Sequence, residues 1–167
     1  MHTFGLAHLD INLDNLLLGD DYRLKICDFD SSQCELGQLS VLSNGTENFR
    51  APEIQGKKLA DPAKSDVYSA GITLFAMLFG MLPYLENFMV RDHNLYELLL
   101  NDVDQFWDVH DEMESGTEHI DWDCKKLFES MVNIDPHKRA SIDEIKLNKW
   151  YRDVVYEQEE LPKVWNQ

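Results

Sequence analysis

Three oxygen-bearing side chains stand at spacings that suit phosphate chemistry. Asp10 and Asn15 lie five residues apart in "HLDINLDN" (8–15), and Asp28 opens "DFD" after a short apolar run. Carboxylate and amide oxygens are hard donors. Such a set suits Mg²⁺, which takes one or two carboxylates and completes its shell with water and substrate phosphates. Asn15 and Asp28 are the candidate metal ligands. That leaves Asp10 free to accept a proton from an attacking hydroxyl. The stretch 8–15 contains no Lys or Arg, so any positive charge at the phosphates must come from elsewhere.

Short elements must hold these residues. "LLLGDDYRLKICD" (16–28) reads as an apolar strand, a turn at Gly19-Asp20-Asp21 and a second, alternating strand. This hairpin delivers Cys27 and Asp28 back beside the 8–15 loop. Residues 30–50 are polar and Ser-rich, with Gly37 and Gly45 as breakers; a loop of that length is commonly functional. Helical patterns follow. "SDVYSAGITLFAMLFG" (65–80) has Ser65 as its expected cap and ends near Gly80 and Pro83. "NLYELLL" from Asn94 is a shorter helix. "WDCKKLFESMV" from Trp122 places Leu127, Phe128 and Met131 on one face. In "SIDEIKLNKWY", Ser141 and Glu144 form an S-x-x-E capping box. The expected class is mainly α: a short hairpin, a long loop, then helices around one central apolar helix. Residues 152–167 form an acidic tail, expected to be loosely held.

Composition narrows the function. The 167 residues are 44% apolar and 28% charged, enough for one domain with a core. The formal net charge is −16, which argues against nucleic acid and anionic membrane and favours basic protein segments or metal ions. Cys27, Cys34 and Cys124 are scattered without a C-x-x-C pair, which fits a reducing, cytoplasmic setting. The N-terminal "MHTFGLAHLD" has no basic segment followed by an apolar core, so it does not read as a signal peptide. "AGITLFAMLFGMLP" is too short and too interrupted for a membrane span.

Taken in order, H-x-D-x-x-x-x-N, then D-F-x, then A-P-E at Ala51-Pro52-Glu53 is a specific combination. With these motifs the chain resembles the C-terminal lobe of a eukaryotic protein kinase of the serine/threonine type, over residues 1–151. Asp66 and Gly71 in "DVYSAG" match the start of that family's central helix. Arg139 in "DPHKRASIDEI" matches its late arginine. The ending "SIDEIKLNKWY" is similar to the calcium/calmodulin-dependent and AMP-activated groups.

The resemblance implies roles. Asp10 is the catalytic carboxylate, and Thr46 in "GTENF" helps place the substrate hydroxyl. Asn15 and Asp28 hold Mg²⁺ against the phosphates of ATP, and Leu17 forms an apolar floor under adenine. His8, Phe29 and Asp66 are structural, as is a Glu53–Arg139 ion pair. The implied activity is transfer of the γ-phosphoryl of ATP to Ser or Thr of a protein substrate. The oligomeric state is not implied.

Four departures qualify this. Leu9 stands where many kinases have an Arg that binds an activation-loop phosphate. Asn12 stands where a Lys neutralises the transferring phosphoryl group. Asp30 replaces the Gly of D-F-G. The matched segments begin just before the catalytic loop, so the Gly-rich loop, strand Lys and partner Glu of the N-lobe are expected to be absent from this chain. The isolated chain is then expected to be inactive alone. A helix neighbour of the apolar central helix would be missing too, leaving exposed area worth about 25 cal/mol per Å². These departures favour an alternative: a catalytically impaired, pseudokinase-like binding or scaffold module.

Plainer readings apply to other residues. His8 is a packed, hydrogen-bonded core histidine, and Trp107 in "QFWDVH" anchors a helix. Cys34 is an ordinary loop cysteine. Ser31, Ser32, Ser40, Ser43 and Thr46 are as well explained by loop polarity as by phosphorylation.

Overall fold

The computed structural model describes residues 1–34, 45–55, 61–84, 89–90, 93–113, 120–153, 156 and 159–165. The central stretch of the Ser-rich loop, with Gly37, Ser40 and Ser43, lies outside these.

The first half is built from small elements. A 3₁₀ turn at His2–Phe4 leads into β1 (Leu6–Ala7), and a second 3₁₀ turn at Leu13–Asn15 leads into β2 (Leu16–Leu18). β2 pairs antiparallel with β3 (Leu24–Ile26), with Leu17 opposite Lys25. This is the expected hairpin. Its strands are mostly exposed rather than two-faced: Leu17, Leu18, Leu24 and Ile26 all face solvent. Alternation in the sequence therefore did not translate into one buried face here. β4 (Gln33–Cys34) returns to pair with β1, a non-local pairing that no local pattern announces. A short helix, α1 (Pro52–Gln55), begins within the A-P-E motif, directly after Ala51.

The second half is helical, with α2 (Pro62–Phe79) at its centre. α2 starts four residues earlier than the Ser65 cap implies. Asp61 is the cap, accepting from the Ala63 and Lys64 amides, and Pro62 fills the first turn, where its missing N–H is harmless. Ser65 lies inside the helix, where its hydroxyl bonds Glu53 Oε1 and the Asp61 carbonyl. The C-terminus follows expectation: Gly80, at φ 66, is the left-handed cap.

A small ribbon, β5 (Met89–Val90) with β6 (His93–Asn94), precedes α3 (Leu95–Asn101), which is capped by Asn94. Next come α4 (Val103–Met113), α5 (Trp122–Met131) and α6 (Ile142–Leu147). The Ser141–Glu144 capping box is formed in full. The tail carries a short helix, α7 (Leu161–Trp165).

The core is aromatic. Phe75 of α2 sits at the centre, with ring contacts to Phe79, Phe106, Trp107, His110 and Phe128. Burying a side chain of this size contributes about 1.5–3 kcal/mol. Trp107 is an anchor as expected, and its indole N–H donates to Glu129. Leu127, Phe128 and Met131 are buried as the spacing predicts. Gly71 lets α2 and α5 approach closely: a Cβ there would lie 2.8 Å from Val132 Cγ1. On another flank of α2, an apolar groove of about 630 Å³ is lined by Ile11, Val67, Ala70, Met131, Ile142 and Ile145. No helix among the described residues is long and apolar enough to cross a membrane.

Candidate active site

The loop bearing Asp10 is held from beneath by α2. Asp66, 1% exposed, accepts the His8 amide on Oδ2 at 2.8 Å and the Leu9 amide on Oδ1 at 2.7 Å. His2 Nε2 reaches the same Oδ2 at 2.7 Å. These bonds sustain an unusual backbone: Leu9 has φ 64. A non-glycine residue there costs of order 1–3 kcal/mol, which charge-assisted bonds of this kind can offset. Leu9 itself is buried with Ala7 and Ile54, tying the loop to α1.

His8 is fully buried. Its Nε2 donates to the Cys27 carbonyl at 2.9 Å, and its Nδ1 accepts the Asp10 amide at 3.3 Å. The ring of Phe29 meets it edge-on at 4.9 Å. His8 therefore links the 8–15 loop to the start of D-F-D, as a packed histidine.

Both oxygens of Asp10 are held by amides. Oδ1 accepts from Asn12 Nδ2 at 3.0 Å and from the Thr46 amide at 2.7 Å. Oδ2 accepts from Asn15 Nδ2 at 3.1 Å. Asn12 Nδ2 also donates to Thr46 Oγ1 at 3.1 Å. Asp10, Asn12, Asn15 and Thr46 thus form one cluster across 36 residues of chain. Gly45 permits it: a Cβ there would lie 2.3 Å from the Leu9 carbonyl oxygen.

Glu53 and Arg139 form a buried bidentate pair, with NH1–Oε1 at 2.6 Å and NH2–Oε2 at 2.9 Å. Arg139 further donates to the carbonyls of Asn133 and Lys64, and its guanidinium lies 5.0 Å from the Tyr68 ring centroid. Each guanidinium nitrogen has a hydrogen-bond partner, as a buried charge requires.

The family model described as protein kinase domain matches residues 1–151. This chain belongs to the protein kinase family. It is 34% identical, over 90% of its length, to a Dictyostelium discoideum protein named a probable serine/threonine-protein kinase, covering 17% of that relative. It is 32% identical, over 92% of its length, to the human hormonally up-regulated neu tumor-associated kinase, covering 20% of it. The Xenopus laevis homolog B of that kinase is matched equally well, with 23% covered. The chain thus spans about a fifth of the length of the curated relatives it matches.

Protein kinases use ATP with Mg²⁺, and the side chains here fit that ion. Because Asn15 Nδ2 is committed to Asp10, its amide oxygen is the atom left for a ligand. The Cys27 N–H donates to the Asn15 carbonyl at 3.0 Å, so Asp28 directly follows a residue paired with Asn15. Asp28 is exposed and has φ 59, and its Oδ1 accepts the Asp30 amide at 3.3 Å. Among the described residues, no three His, Cys, Asp or Glu side chains gather as a metal cage. A divalent ion at this kinase site would rest on these two residues plus phosphate and water oxygens. Leu17 stands on the hairpin, 54% exposed, open to an apolar ligand face.

Three contributions escaped the sequence. Asn12 reads as a lost lysine, yet its amide is the hub of the cluster. Gly45 reads as a loop breaker, yet it is a point of close approach. His2 carried no signal at all, because its partner Asp66 lies 64 residues away.

Proposed function

We propose that residues 1–151 are the C-terminal lobe of a serine/threonine protein kinase and that 152–167 are an acidic tail. The activity proposed is transfer of the γ-phosphoryl of ATP to a Ser or Thr hydroxyl of a protein substrate. The observation that carries it is the Asp10 carboxylate, held on both oxygens by amide donors with the Thr46 hydroxyl alongside. Asp10 accepts the proton of the substrate hydroxyl and orients it. Thr46 helps place that hydroxyl. Asn15 and Asp28 hold Mg²⁺, and Leu17 underlies adenine. The bound ion supplies the positive charge that the 8–15 loop lacks. His8, Phe29 and Asp66 keep the loops in register, and the Glu53–Arg139 pair braces the segment ending at A-P-E.

The net charge of −16 favours substrates with basic segments. Three free cysteines fit a cytoplasmic location. The "SIDEIKLNKWY" ending favours the calcium/calmodulin-dependent or AMP-activated groups.

The test is a protein joining this chain to a kinase N-lobe. It should phosphorylate a generic basic protein, and Asp10→Asn should abolish the activity; equal activity in the variant rejects the assignment. The 167 residues alone should not bind ATP·Mg tightly by calorimetry, and micromolar affinity would overturn the proposed lobe division.

A second reading is a pseudokinase-like binding module. It is favoured by the lack of a cation in the cluster: among the described residues, only the uncharged Asn12, Asn15 and Thr46 donate to the Asp10 carboxylate. It requires partner binding that is indifferent to Asp10→Asn and Asp28→Asn. Binding that depended on both carboxylates and on ATP would remove it.

A further inference from the structure

We infer that the groove between the α3–α4 junction and the end of α5 docks a protein segment carrying Lys or Arg around one or two aliphatic side chains. The inference goes beyond phosphoryl transfer and does not depend on it, since no residue of the groove belongs to the Asp10 cluster. The groove measures about 290 Å³. Val132 lines it from the core, and Leu99 and Val103 line it part-buried. Leu100 and Ile134 complete the lining and stand 40% and 48% exposed. A concave apolar surface flanked by exposed aliphatic side chains is where a partner gains by excluding water.

The charge beside this groove is of one sign. Residues 92–124 hold eleven Asp and Glu and no Lys or Arg, which accounts for most of the chain's net −16. In α3, Glu97 shares a helix face with Leu100 and Asn101, three and four residues on, and both line the groove. In α4, Asp104, Asp108 and Glu112 recur every four residues on one exposed face, directly after Val103. Like charges at that spacing destabilise a helix, and an acid near its C-terminus opposes its dipole. Local stability therefore does not account for the stripe. The nearby cations of α5 are already taken, Lys125 by Asp111 and Lys126 by Glu129. Among the described residues, no Lys or Arg pairs with Glu97, Asp104 or Asp108.

Charge complementarity selects the occupant. A second copy of the chain would bring acids against acids. Nucleic acid and anionic membrane carry the wrong sign. A basic segment with Leu, Ile or Met side chains matches both features at once. Its apolar groups leave water for the groove, and its cations meet Glu97 and the α4 stripe. The charges would speed encounter and fix register, while the apolar contact would hold the complex. Exposed ion pairs alone are too weak to hold it.

An NMR titration of the isotope-labelled 167-residue chain tests this. The probe is a short synthetic peptide of Arg and Lys around two leucines. It should shift the Leu100, Val103 and Ile134 amides and leave those of Asp10 and Thr46 unmoved. A peptide with both leucines replaced by serine should bind at least about tenfold more weakly, and one with glutamate for every Arg and Lys should not bind. Ile134→Ser should weaken the leucine peptide to a similar degree; Leu100→Ser serves if that variant does not fold. The variant Glu97→Gln/Asp104→Asn/Asp108→Asn should lose about tenfold in affinity at about 50 mM NaCl and much less at about 500 mM. Equal binding of the serine peptide would reduce the surface to charge adsorption and overturn the inference. So would shifts confined to the Asp10 loop, or no shift at about 1 mM peptide. Concentration-dependent shifts of Leu100 and Ile134 in the chain alone would assign the groove to a second copy and overturn it as well. Asp10→Asn should bind the peptide as the unsubstituted chain does, so this result and that of the phosphorylation assay are independent.

Discussion

Replacing Glu53 by Leu should be among the most damaging single changes in this chain. Arg139 is 1% exposed, and Glu53 is its only carboxylate partner among the described residues, through two bonds of 2.6 and 2.9 Å. Leu would remove both and leave a cation in the interior facing an apolar side chain. Only the carbonyls of Asn133 and Lys64 and the face of Tyr68 would remain to it. Ser65 would also lose its Glu53 acceptor. Breaking a buried pair from one side costs about 3–5 kcal/mol. At about 2–4 °C per kcal/mol for a chain of this size, the melting temperature should fall by roughly 6–20 °C. Circular dichroism melts and urea titration of the two proteins measure it. The double variant Glu53→Leu/Arg139→Met removes the stranded charge as well, and it should be more stable than Glu53→Leu. A single variant within about 1 kcal/mol of the parent would refute the reasoning, because exposed ion pairs have that worth. So would a double variant less stable than Glu53→Leu.

Three further outcomes are expected. Gly45→Ala should displace the 45–46 segment, since its Cβ would come 2.3 Å from the Leu9 carbonyl; the Thr46 amide resonance should shift and its protection fall, whereas an unchanged spectrum contradicts the close approach. Burial, with a smaller contribution from Asp121, pushes the Cys124 thiol up to about 11; a thiol reagent at about pH 8 should label exposed Cys34 at once and Cys124 only on unfolding. The backbone N–H and hydroxyl of Ser141 hold the Glu144 carboxyl below its ordinary value of 4.5. Its folded value being the lower one, its stabilisation is full above the ordinary value and lost as pH falls through the lowered one. Glu144→Gln should therefore flatten the stability profile as pH falls below the ordinary value of 4.5, and parallel profiles would exclude the capping box as the cause.

Much of the fold was legible because it is locally encoded. The hairpin over 16–26, the Gly80 stop, the Asn94 helix start, the buried face of α5 and the Ser141 box all rest on residues within one or two turns of each other. The start of α2 was misplaced because Asp61 and Ser65 are both acceptable caps, and only Glu53, twelve residues away, decides where the Ser65 hydroxyl goes. The exposed hairpin faces were illegible for a similar reason: strand alternation reports a preference for burial, not the presence of something to bury against.

By itself the sequence determined which residue types were available, in which order: an acid and an amide at 10 and 15, an acid at 28, A-P-E at 51–53, an acid at 66 and an arginine at 139. That order suffices for the family, because side-chain chemistry and spacing along the loop are one-dimensional properties. Only the tertiary structure decided which groups meet. It put Asp66 beneath the His8 and Leu9 amides, Glu53 against Arg139, and Asn12 between Asp10 and Thr46. Apart from Asn12 and Asp10, two residues apart, those pairs span 34 to 86 residues, and hydrogen bonds are satisfied at about 3 Å in space, whatever their distance in sequence.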